Sequence, residues 1–211
     1  MANLACWIST KLPNDIVKIL EKDLLQWEED KIESKVESKN PVTGGINKKI
    51  RDSSNVWIPS NHWMTGWIWY YVRKVNNENF LYDISDIDNG KLQYTIYSEG
   101  DFYDWHADDS PSGFYQPKIL PSSSVSKAED VLNVNGEFVR KLSFSLQLSS
   151  PDDYEGGDVE FLSVGERDSF TAPKDQGTII VFDSRIKHRV TKVKSGTRKS
   201  IVGWVVGPRS K

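Results

Sequence analysis

Leu142-Ser143-Phe144-Ser145-Leu146-Gln147-Leu148 is a run in which apolar and small polar side chains alternate without a break. A period of two marks an extended strand, so Leu142, Phe144, Leu146 and Leu148 share one face and Ser143, Ser145 and Gln147 the other. On periodicity alone, the polar face is the wetted outer face of an antiparallel sheet. Outward from this run, the chain beyond Leu92 reads as about eight short strands separated by turn signals, the pattern of two packed sheets in a jelly roll. Gly156-Gly157 marks a tight turn before a strand over 159–162, because glycine accepts positive φ without steric penalty. Gly177 introduces a buried strand over 178–182, and Asp183-Ser184-Arg185 form a bend leading to His188.

The amino-terminal part reads differently. Pro13, Asn14 and Asp15 suit a first helical turn, and Ile16, Ile19, Leu20, Leu24 and Trp27 recur at helical spacing towards an end near Lys31. The 33–55 stretch is charged, carries Asn40-Pro41 and Gly44-Gly45, and reads as a loop. Ser60 is the expected N-cap of a second helix with the stripe Met64, Ile68, Tyr71, Val72 and Val75. Trp57, Trp63, Trp67 and Trp69 are assigned to packing, and His62 to a surface or capping role.

At 211 residues the chain can bury one substantial core and reads as a single domain over 1–211, with helical support over 1–80 and a jelly-roll core over 81–206. A formal net charge of -3 offers no electrostatic attraction to nucleic acid or an anionic membrane. One cysteine, Cys6, excludes an intrachain disulfide. With no long apolar run and no signal-peptide pattern, the expected location is cytoplasmic. There is no internal repeat.

Chemistry concentrates in Gly100-Asp101-Phe102-Tyr103-Asp104-Trp105-His106-Ala107-Asp108 and in two later residues, His188 and Arg198. On a strand His106 and Asp108 project together, while Trp105, Ala107 and Asp109 point away. Two imidazoles and one carboxylate can occupy one face of an octahedral Fe(II) and leave the other open for a co-substrate and dioxygen. A guanidinium grips a carboxylate through a planar two-bond fork, and Ser200 shares the face of Arg198. The strands bearing His188 and Arg198 are expected to pair with each other, which predicts an odd-numbered loop or a bulge at Ser195-Gly196 to bring the two to one face.

Taken in order, residues 97–108, 154–161, 177–183 and 188–204 resemble the Fe(II)- and 2-oxoglutarate-dependent oxygenases of the prolyl 4-hydroxylase-like group. The resemblance covers about residues 80–206. It implies a double-stranded β-helix, or jelly roll, mainly β with flanking helices (α+β) and supported by the N-terminal helices. It also implies His106, Asp108 and His188 as catalytic metal ligands. Arg198 and Ser200, with Tyr97 as a further hydroxyl donor, would meet the far carboxylate of 2-oxoglutarate. Ser143, Ser145 and Gln147 would then line the co-substrate pocket. The cofactors implied are Fe(II), 2-oxoglutarate and O2, with ascorbate as accessory reductant. The reaction implied is hydroxylation of an unactivated C–H bond, of a prolyl residue in a protein or peptide, with release of succinate and CO2.

The 110–137 segment, with Pro111, Gly113, Pro117 and Pro121, follows the metal motif and is the expected lid over a peptide substrate. Two residues depart from the closest pattern: Arg198 stands where several relatives carry lysine, and Gln147 where many carry a second tyrosine. Nothing in the residues themselves reads proline or sets an oligomeric state. The alternatives are a hydroxylase of a free amino acid or other small molecule, and a non-catalytic jelly-roll binding protein.

Overall fold

The computed structural model describes residues 7–33, 50–109, 138–163 and 168–208. Cys6, the 110–137 segment and residues 34–49 of the expected loop lie outside the described residues. Strand β1 (Trp7–Lys11) leads into helix α1 (Asn14–Leu24); β2 (Ile32–Glu33), β3 (Arg51–Asp52) and β4 (Ser54–Ile58) precede α2 (Trp63–Val75). There follow β5 (Asp86–Ile87), β6 (Leu92–Tyr97), β7 (Phe102–His106), β8 (Phe138–Gln147), β9 (Tyr154–Gly156) and β10 (Val159–Leu162). The chain closes with β11 (Ser169–Thr171), β12 (Thr178–Asp183), β13 (His188–Val190), β14 (Val193–Gly196) and β15 (Arg198–Pro208).

The major antiparallel sheet runs β1-β12-β8-β15-β6-β4-β2, with β5 added along β15. The minor sheet runs β11-β10-β13-β7-β3, and β9 pairs with β14 as a separate ribbon. One cavity is lined from both sheets, by Thr95, Ser143 and Arg198 of the major and by His106, His188 and Val159 of the minor. Two facing antiparallel sheets with helices on one outer face are the double-stranded β-helix expected. The main core lies on the far side of the major sheet, where Val17, Leu20 and Leu24 of α1 and Met64, Ile68 and Val72 of α2 cover Leu142, Phe144 and Leu146 of β8. Those side chains leave water together, each worth roughly 1.5–3 kcal/mol on full burial.

The structure corrects several readings of the amino-terminal part. It is not only helical: β1 pairs with β12 and β4 with β6 and β2, so the first 80 residues also supply strands at both ends of the major sheet. The expected loop ends early, since residues 51–52 and 54–55 are already strand. Short edge strands of this kind draw their order from a partner distant in sequence. In α1 the buried stripe is Val17, Leu20 and Leu24, whereas Ile19 is 52% exposed. The N-cap of α2 is His62, not Ser60: its Nδ1 accepts from the Met64 N–H at 3.4 Å, while its Nε2 lies 3.1 Å from Asp23 Oδ2 on α1. Trp67 and Trp69 pack against the core as expected. Trp57 and Trp63 do not, at 45% and 46% exposed.

The hairpin that would have joined His188 to Arg198 does not form. β13 belongs to the minor sheet and β15 to the major, and β14 between them pairs with β9, so loop parity has no bearing on where the two side chains point. The turn before β10 is as expected, with Gly156 at φ 75° and Gly157 at φ 60°. A Cβ on Gly156 would also collide with the Lys192 carbonyl oxygen, so this crossing is open only to glycine. Among the described residues no helix is long and apolar enough to cross a membrane.

Candidate metal centre and co-substrate cavity

β7 and β13 are antiparallel neighbours, and their register sets His106 directly opposite His188. Facing residues on adjacent strands lie within side-chain contact, and the two ring centroids are 4.1 Å apart. Asp108, just past the end of β7, is anchored by its own backbone N–H, which donates to Ser184 O at 2.8 Å in the bend after β12. Its Oδ1 lies 3.7 Å from His106 Nε2 and its Oδ2 3.5 Å from His188 Nε2. The ligand atoms of all three residues fall within 4.8 Å of one another.

Each imidazole is oriented from behind. His106 Nδ1 is 2.7 Å from Asp104 O, and His188 Nδ1 is 3.0 Å from Ile186 O. A carbonyl only accepts, so both rings carry the proton on Nδ1 and turn the Nε2 lone pair towards the shared centre. Burial, reinforced by the neighbouring His188, pushes the His106 pKa down to about 4, which keeps its ring neutral near pH 7. Burial works against ionisation of Asp108. His188, His106, the Ser143 hydroxyl and the Trp204 indole outweigh it and hold the carboxyl below its ordinary range. Ser143 Oγ donates to Asp108 Oδ2 at 2.8 Å and lies 3.0 Å from Ser184 Oγ. Two imidazoles and one carboxylate, each with a second partner, fit a divalent cation of the Fe(II) type.

The other end of the cavity is built on β6, β15 and β8. Arg198 is 2% exposed, pairs in register with Tyr97, and holds its guanidinium carbon 5.5 Å from the Tyr97 ring centroid. Its Nη1 donates to Ser200 Oγ at 3.3 Å, as expected from their shared face. No carboxylate pairs with Arg198 among the described residues, yet a buried cation is stable only when compensated. Beside it, Thr95 Oγ1 is buried with no hydrogen-bond partner among the described residues. An uncompensated guanidinium and an unmatched hydroxyl in one cavity fit a ligand carboxylate, the group that the far end of 2-oxoglutarate presents.

Ser143, Ser145 and Gln147 are 1%, 8% and 3% exposed, so the polar face of β8 is not the wetted surface its periodicity suggests. Ser143 and Ser145 line the cavity. Gln147 is used internally, its Nε2 donating to Ser149 O at 3.1 Å and to Tyr154 Oη at 3.0 Å. Trp105 points away from the centre, as alternation requires, and lies under Arg189 at 4.6 Å.

Several cavity residues escape sequence reasoning. Tyr103 stacks on His106 with centroids 3.5 Å apart and 15° between planes, and the Arg51 guanidinium carbon sits 4.7 Å from the Tyr103 ring. Strict alternation would put residues 103 and 106 on opposite faces. A register shift between His188 and Val190 brings them together. Burial pushes the Tyr103 hydroxyl up to about 12, so it stays protonated at any ordinary pH. Trp204 could have been found, since it shares parity with Arg198 and Ser200. It lines both this cavity and an outer one of about 450 Å³, whose other walls include Trp57, Asn55, Gln93, Arg51 and Arg140. Arg140 stacks over Trp204 at 4.4 Å and is held there by Asp88 at 2.8 Å.

Known proteins match both the sequence and the shape. A PKHD-type hydroxylase of Crocosphaera subtropica is 39% identical over 92 residues, 43% of this chain and 39% of the relative, so the chain spans under half the length of the curated relatives it matches. A prolyl-4-hydroxylase of Pseudomonas putida has a similar fold, with TM-score 0.63 and 17% identity over 97% of this chain and 94% of that one. So has a Trichoplax adhaerens prolyl hydroxylase solved with a hypoxia inducible factor peptide fragment, with TM-score 0.69 and 15% identity over 97% of this chain and 85% of that one. Residues 92–206, more than half of the chain and the part that carries all three ligands and Arg198, match the profile of the 2OG-Fe(II) oxygenase superfamily, and the chain belongs to that family.

Proposed function

We propose that this protein is a Fe(II)- and 2-oxoglutarate-dependent hydroxylase acting on a prolyl residue in a peptide or protein. The observation that carries the reading is one cavity with the His106–Asp108–His188 cluster at one end and, at the other, the guanidinium of Arg198, which meets no carboxylate among the described residues. His106, Asp108 and His188 would hold the metal. Arg198, Ser200 and Thr95 would hold the far carboxylate of 2-oxoglutarate, with the Tyr97 hydroxyl beside them. Bound together, Fe(II), 2-oxoglutarate and O2 supply the oxidising power that hydroxylates an unactivated C–H bond and releases succinate and CO2.

What the chain itself does is positional. Asp104 O and Ile186 O fix the imidazole tautomers, and the Ser143 hydroxyl holds the Asp108 carboxylate in its orientation between the two rings. Tyr103, Phe182, Val190 and Val202 give the inner cavity apolar walls that limit water. A substrate would lie in the outer cavity against the Trp57 and Trp204 rings, which pack on each other with centroids 6.3 Å apart. The peptide reading draws on the Trichoplax prolyl hydroxylase, solved with a peptide fragment, and on a groove open enough for a chain segment.

The test is succinate formation by anaerobically purified protein supplied with Fe(II), 2-oxoglutarate and O2, with and without a panel of proline-containing peptides. Peptide-stimulated succinate is the expected result. Stimulation by a free amino acid and by none of the peptides would replace the peptide reading with a small-molecule one. Failure to bind either Fe(II) or 2-oxoglutarate would favour a non-catalytic jelly roll.

A further inference from the structure

Gln93 on β6 forms part of the wall shared by the inner and outer cavities. It sits in register with Trp57 of β4 on one side and Val202 of β15 on the other. The side chain is 2% exposed, and its Oε1 is buried without a hydrogen-bond partner among the described residues. Leaving a buried amide oxygen unmatched forfeits its hydration with nothing in return, and native interiors seldom tolerate it without a reason. Gln147, a carboxamide buried to the same degree, shows the contrast, since both acceptors around its Nε2 are supplied by the fold.

The missing donor does not come from the co-substrate. Ionised 2-oxoglutarate offers only acceptor oxygens, which suit Arg198 and the Thr95 hydroxyl but not an amide oxygen. Thr95 lines the inner cavity alone, whereas Gln93 also faces the outer one. There Arg51 and Arg140 can only donate, so they suit substrate carbonyls, and Gln93 Oε1 suits an N–H. A residue in an extended segment presents its N–H and C=O on the same edge, the pairing that a carboxamide matches.

We propose that Gln93 is a specificity-determining residue whose Oε1 accepts a hydrogen bond from a backbone N–H of an extended peptide in the outer cavity. This rests on the peptide reading above. Because an internal proline has no N–H, the residue read by Gln93 is a neighbour of the one hydroxylated. The site therefore selects for an unmethylated, non-prolyl residue at one position flanking the target.

The test uses the Fe(II)-loaded full chain and the acetylated, amidated pentapeptide Ala-Ala-Pro-Ala-Ala, together with its four singly N-methylated forms, in wild type and Gln93→Leu. One N-methylation is expected to raise KM about tenfold to a hundredfold in wild type, with a much smaller change in kcat, because a site built to hydrogen-bond rejects an analogue lacking the donor. Gln93→Leu should raise KM for the parent peptide similarly and remove the methylation penalty, while 2-oxoglutarate affinity stays as in wild type. Its melting temperature should equal or exceed that of wild type, since an unmatched buried acceptor has been removed.

An unchanged KM in Gln93→Leu, or a methylation penalty that persists in it, would overturn the proposal and leave the peptide reading standing. So would a fall of several degrees in melting temperature, which would assign the carboxamide to the fold's own hydrogen bonding. No turnover of any pentapeptide by wild type, with succinate formed from another substrate, would overturn the peptide reading and this proposal with it.

Discussion

Along β8, Leu142 and Leu146 on one side are 0% exposed, and Ser143 and Gln147 on the other are 1% and 3% exposed. Burial does not distinguish the two faces, and chemistry does. The leucine face meets α1 and α2 in the main core, where every buried methylene adds to stability. The serine face meets Asp108, Ser184 and the cavity, where Ser143 and Gln147 have exchanged water for specific partners and Ser145 lines the cavity. The comparison teaches that one strand can hold the fold with its even residues and the site with its odd ones. Substitutions on the two faces should therefore fail in different assays.

The sharpest break of that symmetry is Asp108→Ala, which should abolish metal-dependent succinate formation while thermal unfolding of the metal-free protein stays cooperative. Retention of full turnover would sink the proposed ligand set. Next is Leu146→Ala on the apolar face, expected to destabilise by about 2–5 kcal/mol in urea unfolding. Turnover per folded molecule should be nearly unchanged. A large loss of turnover at full stability would show that the two faces are not separable.

Arg198→Ala should weaken 2-oxoglutarate by about 2–5 kcal/mol, the cost of removing one partner of a buried charge pair, as read by anaerobic titration of the Fe(II)-loaded protein. Iron affinity should change far less. Ser143→Ala removes the hydroxyl behind Asp108 and should lower Fe(II) affinity about tenfold to a hundredfold, with little change in melting temperature. If instead its melting temperature collapsed, the serine face would be structural like its opposite.

The smallest effect is on pH. His106 takes up its proton in the folded protein only near pH 4, against about 6.5 in an unfolded chain. Between those values the unfolded state binds the extra proton. Stability of the metal-free protein contributed by this residue should thus be full above pH 6.5 and decline as pH falls towards 4. Melting curves at pH 7.5, 6 and 5 check the sign, and an increase in stability over that range would contradict the burial of His106.

Much of the site was legible because strand periodicity carries over directly into three dimensions. His106 with Asp108 and Arg198 with Ser200 each share a face for that reason, and Gly156-Gly157 marked its turn through a conformation that few other residues adopt. Tyr103 was not legible, because a register shift between β13 and β7 overrides alternation. Nor was the partnership of His188 with Arg198, which the chain makes across two sheets and not within one hairpin. The N-cap of α2 was misplaced for a related reason: His62 is chosen by Asp23 on another helix, which local capping preference cannot anticipate.

By itself the sequence determined the alternation of β8, the identity of the three metal-ligand candidates and the guanidinium, and the helical character of α1 and α2, all properties that spacing and side-chain chemistry encode locally. Only the tertiary structure decided that the polar face of β8 looks into a cavity and not into water, that Trp57 lines the outer cavity, and that Gln93 Oε1 is buried without a partner among the described residues while Gln147 is hydrogen-bonded. Those outcomes depend on which surfaces meet. Burial and hydrogen-bond matching are properties of pairs of elements distant along the chain, and no single strand carries them.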